Sequence, residues 1–68
     1  MTYNDVYETY QALVNLSYSA VNEARARNIP WAKADEAMVD VRNFKALAKA
    51  DGWNTYHNYA GIVVERIR

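Results

Sequence analysis

His57 is the residue of this chain best suited to acid–base or metal chemistry, because it is the single histidine and an imidazole titrates near neutral pH. Nucleophilic catalysis and metal binding both need further groups close by, usually a carboxylate or a cysteine. The chain has no cysteine. The positions one helical turn from His57 carry no carboxylate; they are Trp53, Asn54, Ala60 and Gly61. The sequence therefore predicts no enzymatic activity, no metal site and no cofactor.

The run Trp53–Tyr59 favours recognition rather than catalysis, because Trp, Tyr and Asn provide contact area and adaptable hydrogen bonds at binding surfaces. Its candidate protein-binding residues are Trp53, Asn54, Tyr56, His57 and Asn58. The alternative is that Trp53, Tyr56 and Tyr59 fill the core of a very small fold, since large aromatic side chains bury much apolar area. The sequence leaves both uses of the run open.

Composition narrows the class of protein. The 68 residues suffice for one domain, and without cysteine no disulfide can brace it. Eight basic and eight acidic residues cancel, which argues against nucleic acid or a membrane surface as the main partner. The polar, acidic N-terminus lacks the pattern of a signal peptide, and no apolar stretch is long enough to cross a bilayer. We therefore expect a cytoplasmic protein.

Two helices are predicted from periodicity and end signals. Residues 3–27 place apolar side chains on one broad face, with Thr2 or Asn4 as a cap. Pro30 interrupts this pattern and favours the start of a second helix over residues 31–50, which Gly52 would end.

The predicted second helix carries more apolar surface than one packing face needs. Trp31 and Leu47 lie outside its main apolar stripe, so we assign both to protein binding, although a central helix between two neighbours would also use them. Its C-terminal half carries Arg42, Lys45 and Lys49, which are candidate contacts for phosphate or for an acidic partner.

Residues 54–67 are harder to assign. Tyr56, Tyr59, Val63 and Val64 share one face at helical spacing, whereas the β-branched run 62–64 favours a strand. A second strand to pair with this run is not evident, and an unpaired strand leaves its backbone unsatisfied. We therefore predict a third helix over 54–67, with a strand paired across a dimer as the alternative. The expected fold is all-α, a compact three-helix bundle forming a single helical domain over 1–68.

Segment 44–63 superficially resembles a helix-turn-helix motif, because Ala48 stands four residues before Gly52 and a helix is expected to follow. The match is imperfect: Asn58 stands where a recognition helix has a branched apolar residue. The expected recognition helix also carries no Lys or Arg before Arg66. The resemblance implies a small dimeric DNA-binding regulator, with Arg42, Lys45 and Lys49 near phosphates.

The function that the sequence favours is stoichiometric contact: a small non-enzymatic helical protein that binds and regulates or inhibits a larger protein. Many small phage and mobile-element products act in this way, which is an analogy of class only. The DNA-binding regulator is the alternative, and a structural subunit of a larger assembly is a third candidate. A homodimer is compatible with each of them.

Overall fold

The computed structural model describes residues 1–67 and has the order helix, helix, strand, strand. The helices are α1 (Tyr3–Arg27) and α2 (Ala32–Ala50), and the strands are β1 (Trp53–Asn58) and β2 (Gly61–Arg66). Both helices lie within a residue or so of the first two predicted helices. The predicted all-α three-helix bundle is wrong, because residues 53–66 form a two-stranded antiparallel sheet.

The ends of α1 are fixed by their own side chains. Thr2 caps the helix by accepting a hydrogen bond from the backbone N–H of Asp5, and the Asp5 carboxylate accepts one from the N–H of Thr2. At the other end Asn28 adopts the left-handed conformation, with φ of 52°, which Asn tolerates better than most residues. The chain then reverses through Pro30 into α2, so the two helices form an antiparallel hairpin.

Residues 53–66 form a β-hairpin with a two-residue connection. Asn58 pairs with Gly61, and the amide oxygen of Asn58 accepts a hydrogen bond from the N–H of Ala60 at 2.9 Å. Gly61 has φ of 127°, a conformation that side chains rarely allow, so this position needs glycine. The hydrogen bond from the N–H of Ile67 to the carbonyl of Gly52 (2.9 Å) continues the ladder beyond the strand ends.

Residues 54–67 do not form the predicted third helix, because this part of the sequence is better suited to two paired strands. Trp53, Thr55 and Tyr56 favour strands as much as residues 62–64 do, so 53–58 is the second strand that the helical interpretation lacked. The two segments pair within one chain, which removes the need for a strand exchanged across a dimer. The signal in the sequence is the Asn58–Gly61 turn between two runs of strand-forming residues.

The main core lies where the sheet covers one end of the helical hairpin. Val6 of α1, Ala48 of α2 and Val64 of β2 are buried together. Four partly buried apolar residues pack against them: Tyr7, Phe44, Trp53 and Ile62. Farther along α1, Tyr10 is fully buried and Val14 nearly so.

Candidate protein-binding groove

The sheet covers only part of the helical hairpin, and the seam between the two helices stays open beyond the tip of the β-hairpin. α1 has 25 residues and is about 37 Å long, whereas a six-residue strand spans about 20 Å. His57, near the tip, marks where the cover stops. We call the sheet-covered part of the helical hairpin the closed end and the uncovered part the open end. The concave site between the two helices at the open end is called the groove.

The groove has a volume of about 500 Å³. Its lining is mainly apolar and comes from α1, α2 and β1. The residues that line it are Ser17, Tyr18, Val21, Asn22, Arg25, Trp31, Met38, Val41 and His57. Val21 and Val41 are half-buried between the helices, while Trp31 and Met38 are 43% and 45% exposed. Large apolar side chains are therefore presented to solvent around a concave site, as at protein interfaces.

Arg25 stacks over Trp31 at the outer wall, with its guanidinium carbon 5.6 Å from the ring centroid. This cation–π contact orients the indole and leaves the guanidinium without a carboxylate partner among residues 1–67. One end of the groove thus combines an aromatic face with an unneutralised positive charge.

His57 closes the other end of the groove and is held by two tyrosines. The Tyr10 hydroxyl hydrogen-bonds to Nδ1 of His57 at 3.1 Å, and the Tyr18 ring meets the imidazole edge-on, with 5.8 Å between centroids. Burial, and to a smaller extent Tyr18, raise the pKa of the Tyr10 hydroxyl. The histidine therefore anchors the tip of the β-hairpin to α1.

This arrangement gives His57 a packing role at the tip of the β-hairpin. Its Nδ1 is engaged by the Tyr10 hydroxyl, and the rings of Tyr10 and Tyr18 both lie beside the imidazole. Within residues 1–67 no group of three or more His, Asp or Glu side chains is placed to hold a metal ion.

The residues predicted from the 53–59 run are divided between the two faces of the sheet. Trp53 and His57 point toward the helices: Trp53 packs on the core, lies edge-on to Tyr3 and is covered by Arg66 at 4.5 Å from its centroid. Asn54, Tyr56 and Asn58 alternate with them and are exposed on the outer face.

On that outer face Tyr56 donates a hydrogen bond to Glu65 at 2.7 Å, which raises the pKa of the Tyr56 hydroxyl. A broad depression of about 780 Å³ at the base of the sheet is bounded by Asn54, Glu65, Arg66 and Ile67. Its two charged groups already have partners, since Glu65 accepts from Tyr56 and Arg66 lies over Trp53.

The α2 residues that were predicted to bind a partner also lie on different parts of the surface. Trp31 lines the groove, whereas Leu47 is 61% exposed on α2 outside the groove lining. Arg42, Lys45 and Lys49 are exposed, and helical spacing puts them on the side of α2 that also carries Trp31 and Met38. Lys45 and Lys49 line a depression of about 240 Å³ together with the first residues of β1.

Sequence reasoning missed the groove residues other than Trp31 and His57. Met38 stands seven residues after Trp31, which is two helical turns, so their common side was readable from the sequence. Tyr18, Val21 and Val41 fit a core as well as a groove, and only the short reach of the β-hairpin leaves them uncovered.

Comparisons of the chain with protein-family models, with curated proteins and with solved structures found no match. In the part of the chain that the structure describes, no helix combines the length and the apolar character that crossing a membrane requires.

Proposed function

We propose that this protein acts by binding a larger protein through the groove, and regulates or inhibits that protein by stoichiometric contact. The observation that carries the proposal is the exposure of Trp31 and Met38 at the rim of a 500 Å³ apolar groove. Trp is the residue type most enriched among binding hot spots, and a flexible Met adapts to the shape of a partner.

The geometry around the groove supports this use. Val21 and Val41 line it on the two helices, and His57 fixes one wall through Tyr10. A site whose walls are held in the free protein loses less conformational entropy on binding. The unneutralised Arg25 at the rim adds a preference for a carboxylate on the partner.

DNA binding through a helix-turn-helix has less support. Residues 53–58, where the recognition helix was expected, are a strand whose outer face carries Asn54, Tyr56 and Asn58. The cations Arg42, Lys45 and Lys49 lie along α2, as the sequence predicted, but the segment that follows them is a strand and not a recognition helix. The groove, by contrast, is apolar and suits a protein surface.

The test compares two adjacent residues of α2 that are equally exposed on different sides. Met38 (45% exposed) lines the groove, while Val39 (46% exposed) lies away from it beside Asp35, Glu36 and Asp40. The native chain, Met38→Asp and Val39→Asp are immobilised in parallel, and proteins retained from extracts of the native cell are quantified by mass spectrometry. The retained protein is then purified and its Kd measured by calorimetry.

We expect Met38→Asp to weaken binding by at least roughly tenfold, which corresponds to about 1.4 kcal/mol, and Val39→Asp to bind like the parent. Circular dichroism melting of both variants checks that each is folded. Equal binding by Met38→Asp and the parent would rule out the groove as the site. A chain that retains no protein but shifts duplex DNA, with affinity falling steeply as salt rises, would overturn the proposal in favour of DNA binding.

A further inference from the structure

The groove is a seam between two antiparallel helices, and its shape favours a third helix as the occupant. Its floor is formed by Val21 of α1 and Val41 of α2, which are both half-buried. Exposed side chains form its rims, Tyr18 on α1 and both Trp31 and Met38 on α2. A helix laid along such a seam packs against both helices at once, as in a helix bundle.

The backbone around the groove is poorly suited to an extended segment. From Ser17 to Arg25 and from Asp35 to Val41 the walls are helical, so their backbone N–H and C=O groups bond along their own helix. The edge of β1 is covered, since Thr55 at its centre is 3% exposed. An extended segment in the groove would bury N–H and C=O groups without partners, whereas a helix satisfies its own.

The charges at the rims of the groove favour a carboxylate on this helix. Arg25 lies over Trp31, and Arg42 follows Met38 by one turn on the same side of α2. Neither of the two ion pairs found among residues 1–67 involves these arginines. Asp35 follows Trp31 by one turn and offsets only one of the two positive charges. An acidic side chain on the occupant is therefore attracted more strongly than a basic one.

We infer that the groove receives an amphipathic helix of the partner protein, which carries an Asp or Glu beside its apolar stripe to pair with Arg25. This inference rests on the proposed function, because it names the segment of the partner that the groove binds. The α1 residues that line the groove, from Ser17 to Arg25, span about 12 Å, which is about two turns of helix. The bound helix therefore presents apolar residues at positions i, i+3 or i+4, and i+7.

The two ends of the groove differ, and this difference sets the direction of the bound helix. Arg25 lies at the outer end, next to the helix–helix turn, whereas His57 closes the inner end. A carboxylate one turn beyond the apolar stripe meets Arg25 in only one of the two directions. Because the guanidinium is already held over Trp31, it loses less conformational freedom when it pairs with that carboxylate.

The experiment uses the full chain, labelled with ¹⁵N, and three capped synthetic peptides of about sixteen residues, which is long enough to form a helix. The Glu peptide places Leu at i, i+3, i+4 and i+7 and one Glu a turn beyond the last Leu, in a background of Ala and Gln. The Lys peptide has Lys in place of that Glu. The Pro peptide has Pro in place of a central Gln on the side opposite the Leu stripe. NMR titration at the indole N–H of Trp31 gives each Kd.

We expect the Glu peptide to shift the indole N–H of Trp31 and the amide of Met38, and to gain helicity in circular dichroism when it binds. The Pro peptide should bind at least roughly tenfold more weakly, because Pro breaks the helix and leaves the Leu stripe unchanged in sequence. The Lys peptide should bind at least roughly threefold more weakly than the Glu peptide, since one exposed charge pair contributes modestly.

Two arginines in the last turn of α1 provide the matched comparison. Arg25→Gln should abolish the preference for the Glu peptide over the Lys peptide. Any change that it causes at Trp31 affects both peptides alike, so the preference isolates the charge. Arg27→Gln removes the same charge from an exposed residue that lies away from the groove and pairs with Glu23 at 3.4 Å, and it should keep the preference. Circular dichroism melting checks that both variants are folded.

Equal binding of the Pro and Glu peptides would overturn the inference, because the occupant would then be extended. No binding of the Glu peptide, or an unchanged preference in Arg25→Gln, would overturn it as well. So would shifts of Trp31 that appear without peptide as protein concentration rises, since a second copy would then be the occupant. If Met38→Asp loses the cellular partner while the Glu peptide does not bind, the proposed function stands and the helix inference fails. If the native chain retains no partner, the proposed function fails, and the peptides still decide whether the groove accepts a helix.

Discussion

The two ends of the helical hairpin use the same pair of helices in different ways. At the closed end Val6, Tyr10 and Ala48 of the helices are buried beneath the sheet, together with Val64 of the sheet itself. At the open end the buried residues Ala24 and Ala34 are small, while larger apolar side chains remain exposed. Apolar burial stabilises a fold in proportion to the area removed from water, so the closed end supplies most of the stability. The open end retains the surface that a partner can bury.

The largest expected effect tests the closed end. Tyr10→Ala removes a fully buried ring and its hydrogen bond to His57, and we expect a loss of about 3–5 kcal/mol in the free energy of unfolding. Urea unfolding followed by circular dichroism measures it. For a chain of this size such a loss approaches the whole stability. A loss below about 1 kcal/mol would mean that the closed end is not where the stability lies.

A change of opposite sign is expected at Thr55, which is 3% exposed and whose hydroxyl has no hydrogen-bond partner. A buried unpaired hydroxyl is costly, so Thr55→Val should raise the free energy of unfolding by about 1 kcal/mol. Thr55→Ser is the control, because it keeps the hydroxyl, loses the methyl group and should be less stable than the parent. A less stable Val variant would show that the hydroxyl is satisfied, for instance by water.

The raised pKa of Tyr10 predicts a smaller, pH-dependent effect. The folded state holds this proton at pH values where the unfolded state has lost it, so stability is complete below a pH of about 10 and falls as pH rises further. An unfolded pKa of about 10 limits the loss to roughly 0.8 kcal/mol at pH 10.5. His57 and Tyr18 face this hydroxyl, and Tyr56 adds a loss of the same sign.

Urea midpoints of the parent and of Tyr10→Phe between about pH 8 and pH 10.5 measure this contribution. The Phe variant should lose less stability over that range than the parent does. Parallel curves for the two proteins would show that Tyr10 titrates alike in the folded and unfolded states.

The smallest effect is expected at the open end. Met38→Ala should change the free energy of unfolding by no more than about 0.5 kcal/mol, because the side chain is 45% exposed. Met38→Ala and Tyr10→Ala are measured in the same urea series. The two losses in the free energy of unfolding then show how much more stability the closed end supplies than the open end. A loss of about 2 kcal/mol or more would place Met38 in the core and weaken its assignment to a binding groove.

The sequence predicted the two helices because their signals are local. Thr2 and Asp5 form a cap within one turn, and Asn28, Pro30 and Gly52 mark ends by their own backbone preferences. The strands depend on each other across the turn at Asn58–Gly61, and a helical wheel examines only one segment at a time. Helical spacing fits Tyr56, Tyr59, Val63 and Val64 by coincidence, and backbone pairing with a neighbouring segment outweighed it.

The candidate site was predictable only in part for the same reason. Trp31 can be recognised as apolar surface beyond the main stripe of α2, because the sequence of that one helix is enough to show it. Met38 and Val41 become groove residues only when the β-hairpin is known to stop near His57. Trp53 lies on the opposite face of the sheet from Asn54 and Tyr56, because side chains alternate along a strand with a period of two residues. The helical prediction assumed a period of 3.6 residues and so missed this alternation.

The packing of Val64 against Val6 and Ala48 has a consequence for biosynthesis. The ribosome makes β2 last of the four elements, at about 5–20 residues per second, so several seconds separate the synthesis of Val6 from that of Val64. During that time α1 and α2 can form by local contacts, but the closed end has no sheet above it. The apolar face around Val6 is then accessible to chaperones and proteases, and the protein gains its full stability only once translation has delivered its β-hairpin.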